Sequence, residues 1–144
     1  MSNSSSRNFS AAHQQITLAG ARHVIALAHE QARHFGVSIG VAVVDRSGEL
    51  VAFERDDNAA LVTTHVAVAK ARTAALLRAP SKMFEDFVNS GLPSFLATPG
   101  ITPLQGGVPL MLENEVIGAV GVSGGSGEQD VAIATSAAAV LSSR

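Results

Sequence analysis

Ile117-Gly118-Ala119-Val120-Gly121-Val122-Ser123-Gly124-Gly125-Ser126-Gly127-Glu128-Gln129-Asp130 carries an apolar strand pattern through a glycine cluster into the start of a helix. How this junction is read decides the fold. Placed after the first strand of a βαβ unit, such glycines would mark a doubly wound parallel sheet. Here the junction sits near the C-terminal end and no βαβ unit follows it. Immediately upstream, 108–112 and 116–123 flank Glu113-Asn114-Glu115 as a hairpin, so the strands are antiparallel neighbours. The four glycines between Gly121 and Gly127 let the main chain adopt positive φ and approach another group closely. They serve either as a tight strand-to-helix connection or as a concavity of amides suited to a carboxylate or phosphate. Pro99-Gly100 and Gln105-Gly106-Gly107-Val108-Pro109 add a second glycine signal in support of the concavity.

Working outward, Leu18, Ala21, Val24, Ile25, Ala28, Ala32 and Phe35 recur at spacings of three and four, which predicts a helix over 16–35 closed by Gly36. A hairpin of 37–44 and 49–54 turns through Asp45-Arg46-Ser47-Gly48, with Asp45 bonding turn amides and Gly48 supplying the left-handed residue. A second long helix is expected over 61–79, burying Val62, Val66, Ala69, Thr73, Leu76 and Leu77 and stopping at Pro80. A short helix at 81–89 ends at Gly91. The stretch 92–107, with three prolines and three glycines, reads as an ordered loop with one short edge strand. An alanine-rich helix over 128–141 completes the order α-β-β-α-α-β-β-α. Alternating hairpins and helices define an α/β (α+β) domain, an antiparallel sheet with helices packed on it.

The 144 residues suffice for one domain, expected over 13–144 behind a disordered N-terminal tail at 1–12. Hydrophobic residues make up 47% and charged residues 15%, more apolar surface than a small monomer hides, which favours a homo-oligomer. A net charge of −2 with scattered basic residues offers no footprint for nucleic acid or an anionic membrane. The absence of cysteine excludes disulfides, thiolate nucleophiles and cysteine-held metal. Neither a signal h-region nor an apolar run of spanning length is present, so a cytoplasmic location is expected.

Chemistry centres on the second long helix. A helical wheel places His65 and Arg72 on one flank of its apolar stripe and Lys70 on the other, each at the core boundary. There the cations either reach an anionic ligand, or Lys70 and Arg72 are solvated or paired with Glu54, Asp56 or Asp57. Among the five histidines, His23 and His34 fall opposite the first helix's apolar stripe, His29 at its edge, His13 in the tail region and His65 beside the second core stripe. His65 is the candidate for a cavity, followed by His29. Gly121-Val122-Ser123-Gly124-Gly125 matches the nucleophile-elbow string, yet the topology is not that of the hydrolase fold. No pair of histidines four apart encloses a carboxylate as a metal motif would.

Val41-Ala42-Val43-Val44-Asp45, Gly48-Glu49-Leu50-Val51-Ala52-Phe53 with Arg55, and Lys70-Ala71-Arg72-Thr73-Ala74-Ala75 form a set. Gln105-Gly106-Gly107-Val108-Pro109 and 117–125 with Gln129-Asp130 complete it. In this order, over about residues 16–141, the chain resembles the GlcG/HbpS group, relatives of the C-terminal domain of PduO-type proteins. The resemblance implies a profilin-like fold, assembly into dimers or larger rings, and haem as a possible cofactor. Other members accompany glycolate, propanediol or aromatic catabolism. Relatives commonly carry Arg-Met-Asp-Gly-Ala where this chain has Arg55-Asp56-Asp57-Asn58-Ala59, which removes an apolar contact or soft ligand.

The leading expectation is an oligomeric domain binding haem or another anionic, partly aromatic small molecule, its pocket between the Lys70 helix and the two glycine segments. His65, His29, Arg55, Lys70, Gly106, Gly107, Ser123, Gly124 and Gly125 would bind it, with His65 as the metal ligand if it is haem. The rivals are a lyase or isomerase on a hydroxy or aromatic acid, with His65 as general base and Lys70 as anion clamp, and a structural oligomerisation module.

Overall fold

Helix α1 (Leu18–Phe35) starts where the Thr17 hydroxyl accepts from the Gly20 amide at 3.0 Å and ends at Gly36, whose φ of 67° supplies the left-handed cap. The computed structural model describes residues 8–141. Of the expected tail at 1–12, residues 1–7 therefore lie outside the described residues, as do 142–144.

Strands β1 (Gly40–Asp45) and β2 (Leu50–Arg55) pair through a turn in which the Asp45 carboxylate accepts from the Ser47 and Glu49 amides at 2.9 and 3.0 Å. Gly48 takes a φ of 86°. Helices α2 (Thr63–Leu77) and α3 (Lys82–Asn89) follow. The expected edge strand within 92–107 is absent: Pro93–Ala97 forms a 3-10 turn, because Phe95 is drawn onto Phe84 and Phe87, with ring centroids 5.0 and 4.6 Å away. Strands β3 (Gly107–Leu112) and β4 (Glu115–Ser123) form the second hairpin, and α4 (Gly127–Ala138) ends in a 3-10 turn at Ala139–Leu141. The antiparallel sheet has the order β2-β1-β4-β3.

Side-chain alternation divides the strands between two cores. Val41, Val43, Leu110, Val120 and Val122 face α1 and α4, meeting Val24, Ile25, Ile133 and Ala137. Ala42, Val44 and Ala119 face α2 and meet Ala67, Ala71, Ala74 and Ala75. The result is a three-layer sandwich, with two helices on one face and α2 on the other.

Helix α2 is rotated from the expected orientation. Its buried residues are Thr63, Ala67, Lys70, Ala71, Thr73, Ala74 and Ala75, so of the expected stripe Thr73 is buried, while Val62 and Leu76 remain 59% and 47% exposed. The cause lies in the sheet, where Gly107 and Gly121 are paired in register. A β-carbon at Gly121 would collide with the Ala67 carbonyl oxygen, and one at Gly107 with that of Lys70. Only the small-residue face of α2 can press this closely where the sheet lacks β-carbons at Gly107 and Gly121, so the larger apolar residues turn outward.

Candidate functional site

The glycine bend after β4 is a concavity of amides, and the protein fills it with its own carboxylate. Asp130, in the first turn of α4, accepts from the Gly125 amide at 2.9 Å through one oxygen and from the Lys70 ammonium at 2.9 Å through the other. Lys70 also donates to the Val122 carbonyl at 2.9 Å. Both members of the ion pair are about 5% exposed at most. Burial pushes the Asp130 carboxyl above its ordinary value of 3.8, against the opposing pull of the Lys70 ammonium and the Gly125 and Gly124 amides. The second glycine segment backs the same pair: a β-carbon at Gly106 would stand 2.9 Å from the Lys70 Nζ. The space expected between α2 and the two glycine segments is therefore packed. Lys70 is no boundary cation, and the Gly125 amide is not free for an external anion. Ser123, 8% exposed, closes β4 opposite Gly40.

The outward face of α2 borders a groove of about 470 Å³. Thr64, His65, Val68, Ala69 and Arg72 form one wall and residues 100–102 the other. The Thr73 hydroxyl pins that second wall, accepting from the Thr102 amide at 2.8 Å while donating to the Ala69 carbonyl at 2.8 Å. His65 and Arg72, two helical turns apart, thus share one groove. Arg55 reaches its rim from β2, donating to the Thr64 hydroxyl at 2.8 Å. Glu49 lies 3.8 Å from Arg72, a contact between two exposed side chains. Val68, Ala69 and Ile101 supply apolar wall between these polar groups.

His29 belongs elsewhere. Its ring nitrogens lie 2.8 Å from Glu54 and 3.4 Å from Asp56, in a separate polar recess of about 340 Å³. Asp56 accepts from the Ile39 amide at 2.7 Å and so holds the entry to β1. His23 and His34 are exposed, and His13 pairs with Glu115 at 3.0 Å. No cluster of three or more metal-ligating side chains forms among the described residues.

Sequence reasoning missed Asp130 as the partner of Lys70. A signal was present: Asp130 stands three, four and seven residues before Ile133, Ala134 and Ala137, which places an acid on the helix's apolar stripe. Lys70 likewise lies on an apolar stripe, three residues after Ala67 and four before Ala74. Opposite charges on two buried stripes imply each other, since an unpaired buried charge is too costly to keep. Thr64, Ile101 and Thr102 carry no comparable signal.

Fold and groove together define a small antiparallel-sheet protein with a cationic, apolar-walled cleft on its single-helix face. The family model described as haem-degrading protein HbpS-like matches residues 16–139, and the chain belongs to that family. Protein GlcG of Escherichia coli strain K12 is 43% identical over 100 residues, covering 69% of this chain and 75% of that protein. The crystal structure of the Klebsiella pneumoniae protein ORFY superposes with a TM-score of 0.88 at 32% identity, covering 100% of this chain and 99% of the other. That of the PduOC:heme complex gives 0.79 at 29% identity, covering 88% and 95%.

Proposed function

We propose that the α2 groove binds haem or another anionic, partly aromatic small molecule. One observation carries this reading: an imidazole and a guanidinium share a cleft of ligand size whose remaining wall is apolar. The residues fit such a group. Val68, Ala69 and Ile101 would face a planar ring system, His65 has a nitrogen lone pair to give to iron, and Arg72 and Arg55 would pair with peripheral carboxylates. Bound haem would supply a redox-active iron. The match to the PduOC:heme complex supports the same ligand class. In this assignment Lys70, Gly106, Gly107, Gly124 and Gly125 fix the helix whose outer face forms the cleft, rather than touching the ligand. The reading extends to a cytoplasmic homo-oligomer serving small-molecule catabolism. Its support is that no described helix is long and apolar enough to cross a membrane, while Leu50, Leu61 and Val62 are more than half exposed.

Titrating haem into purified protein is expected to shift the Soret band saturably, with the shift lost or altered in His65→Ala. An unchanged spectrum with the wild-type protein would remove haem as the ligand. Should the groove act on an acid instead, His65 would be the general base and Arg72 the anion clamp, because the Lys70 ammonium is held by Asp130. That alternative requires turnover with a limb in the histidine range of its pH–rate profile.

A further inference from the structure

The two walls of the α2 groove are held in different ways. Helix α2 is anchored on the sheet through Ala67, Ala71, Ala74 and Ala75, whereas no residue from 85 to 105 is buried. The second wall therefore belongs to a strap that contributes nothing to either core. Its ends are tied down: Phe95 packs on Phe84 and Phe87, and the buried Ser81 hydroxyl donates to the Leu104 carbonyl at 2.6 Å. Between those ties, Pro99 and Pro103 have no amide hydrogen to give. The Ile101 amide donates within the strap, to the Thr98 carbonyl. The Thr102 amide turns to α2 instead. Its bond to the Thr73 hydroxyl is the one hydrogen bond between 98–103 and that helix among the described residues.

We infer that Thr73 is a positioning residue for the groove: its hydroxyl sets the distance between the two walls without touching the ligand. This rests on the groove being the binding site. Thr73 is 0% exposed, and its hydroxyl is fixed at both ends, donating to the Ala69 carbonyl and accepting from the Thr102 amide. Ala69 lines one wall and Thr102 the other, so a single oxygen links the two. With that link made, Ile101 is already held across from the helix before a flat ligand arrives. Binding then does not have to order the strap, and affinity rises by what that ordering would have cost.

The test compares Thr73→Val, which keeps the branched shape and removes the hydroxyl, with Thr73→Ser, which keeps the hydroxyl. The full chain in each form is titrated with haem and, separately, with anilinonaphthalene sulfonate as an anionic aromatic probe. Thr73→Val should bind about fivefold more weakly, the scale of one neutral hydrogen bond. Its Thr102 amide should also exchange with solvent faster than in wild type. Thr73→Ser should restore both properties, although serine fills the site less well than valine, which a role in packing alone does not predict. In the wild-type chain, with no variant needed, the Thr102 amide should be protected from exchange, and an unprotected amide would overturn the inference. So would wild-type affinity in Thr73→Val, or Thr73→Ser binding no better than Thr73→Val, and either result leaves the groove standing as the binding site. A wild-type protein that takes up neither probe would remove the groove assignment and this inference with it.

Discussion

At the scale of single residues, Lys70 and Asp130 hold the molecule together by joining α2 to α4 at the end of β4. A buried pair of this kind gains little over an apolar isostere, but removing one partner strands a charge. Asp130→Asn preserves an acceptor for the Gly125 amide and leaves the Lys70 ammonium unmatched. It should cost about 3–5 kcal/mol in urea unfolding. Lys70→Met with Asp130→Leu should recover most of that loss. Lys70→Met alone should make stability fall with rising pH. The Asp130 carboxyl already lies above its ordinary value through burial, and losing the ammonium removes an opposing pull. A folded-state value above the unfolded one makes the protonated form favour folding, so this stability is present in acid and lost as pH climbs through the folded value. A melting temperature for Lys70→Met that rises from the acid range to neutrality would contradict the assignment.

Between elements, close approach depends on what is missing from the sheet. Gly107 and Gly121 admit the α2 backbone, and a methyl group at either position meets a carbonyl oxygen that cannot step aside. Gly121→Ala should therefore destabilise by about 1–3 kcal/mol or more, read as a lower urea midpoint at unchanged slope. Haem titration of the surviving folded fraction would show whether the groove moves with α2. The segment at 13–15 docks by different means: Glu115 accepts from the Gln14 amide and meets His13, which hold its carboxyl below the ordinary 4.5. A lowered folded value stabilises docking above the ordinary value and loses it as pH falls through the folded one. Amide exchange at Gln14 should accelerate under acid in wild type and be fast at every pH in Glu115→Ala.

For the molecule as a whole, large apolar side chains that the protomer leaves about half exposed or more need covering. Leu61 is 74% exposed, Leu96 58% and Leu50 53%, in a chain that leaves Val62 and Leu76 outward as well. Native mass spectrometry of freshly purified protein is expected to show a dimer or larger assembly, together with any retained ligand. A monomer persisting at micromolar concentration would contradict that expectation.

Spacing along the chain determined the order of elements, both hairpins, the helix cap at Gly36, the turn glycine Gly48, and the flank shared by His65 and Arg72. These depend on residues a few positions apart, whose geometry is fixed by the helix or strand repeat. Only the tertiary structure decided which stripe of α2 lies against the sheet. Hydrophobicity favoured Val62 and Leu76, whereas the absent β-carbons of Gly107 and Gly121, distant in sequence, favoured the alanines. It likewise decided that the amides after β4 serve Asp130 rather than a ligand, and so moved the candidate site from the inner face of α2 to its outer one. Partner choice across 60 residues of chain, as between Lys70 and Asp130, is settled by packing distance and the cost of an unpaired buried charge.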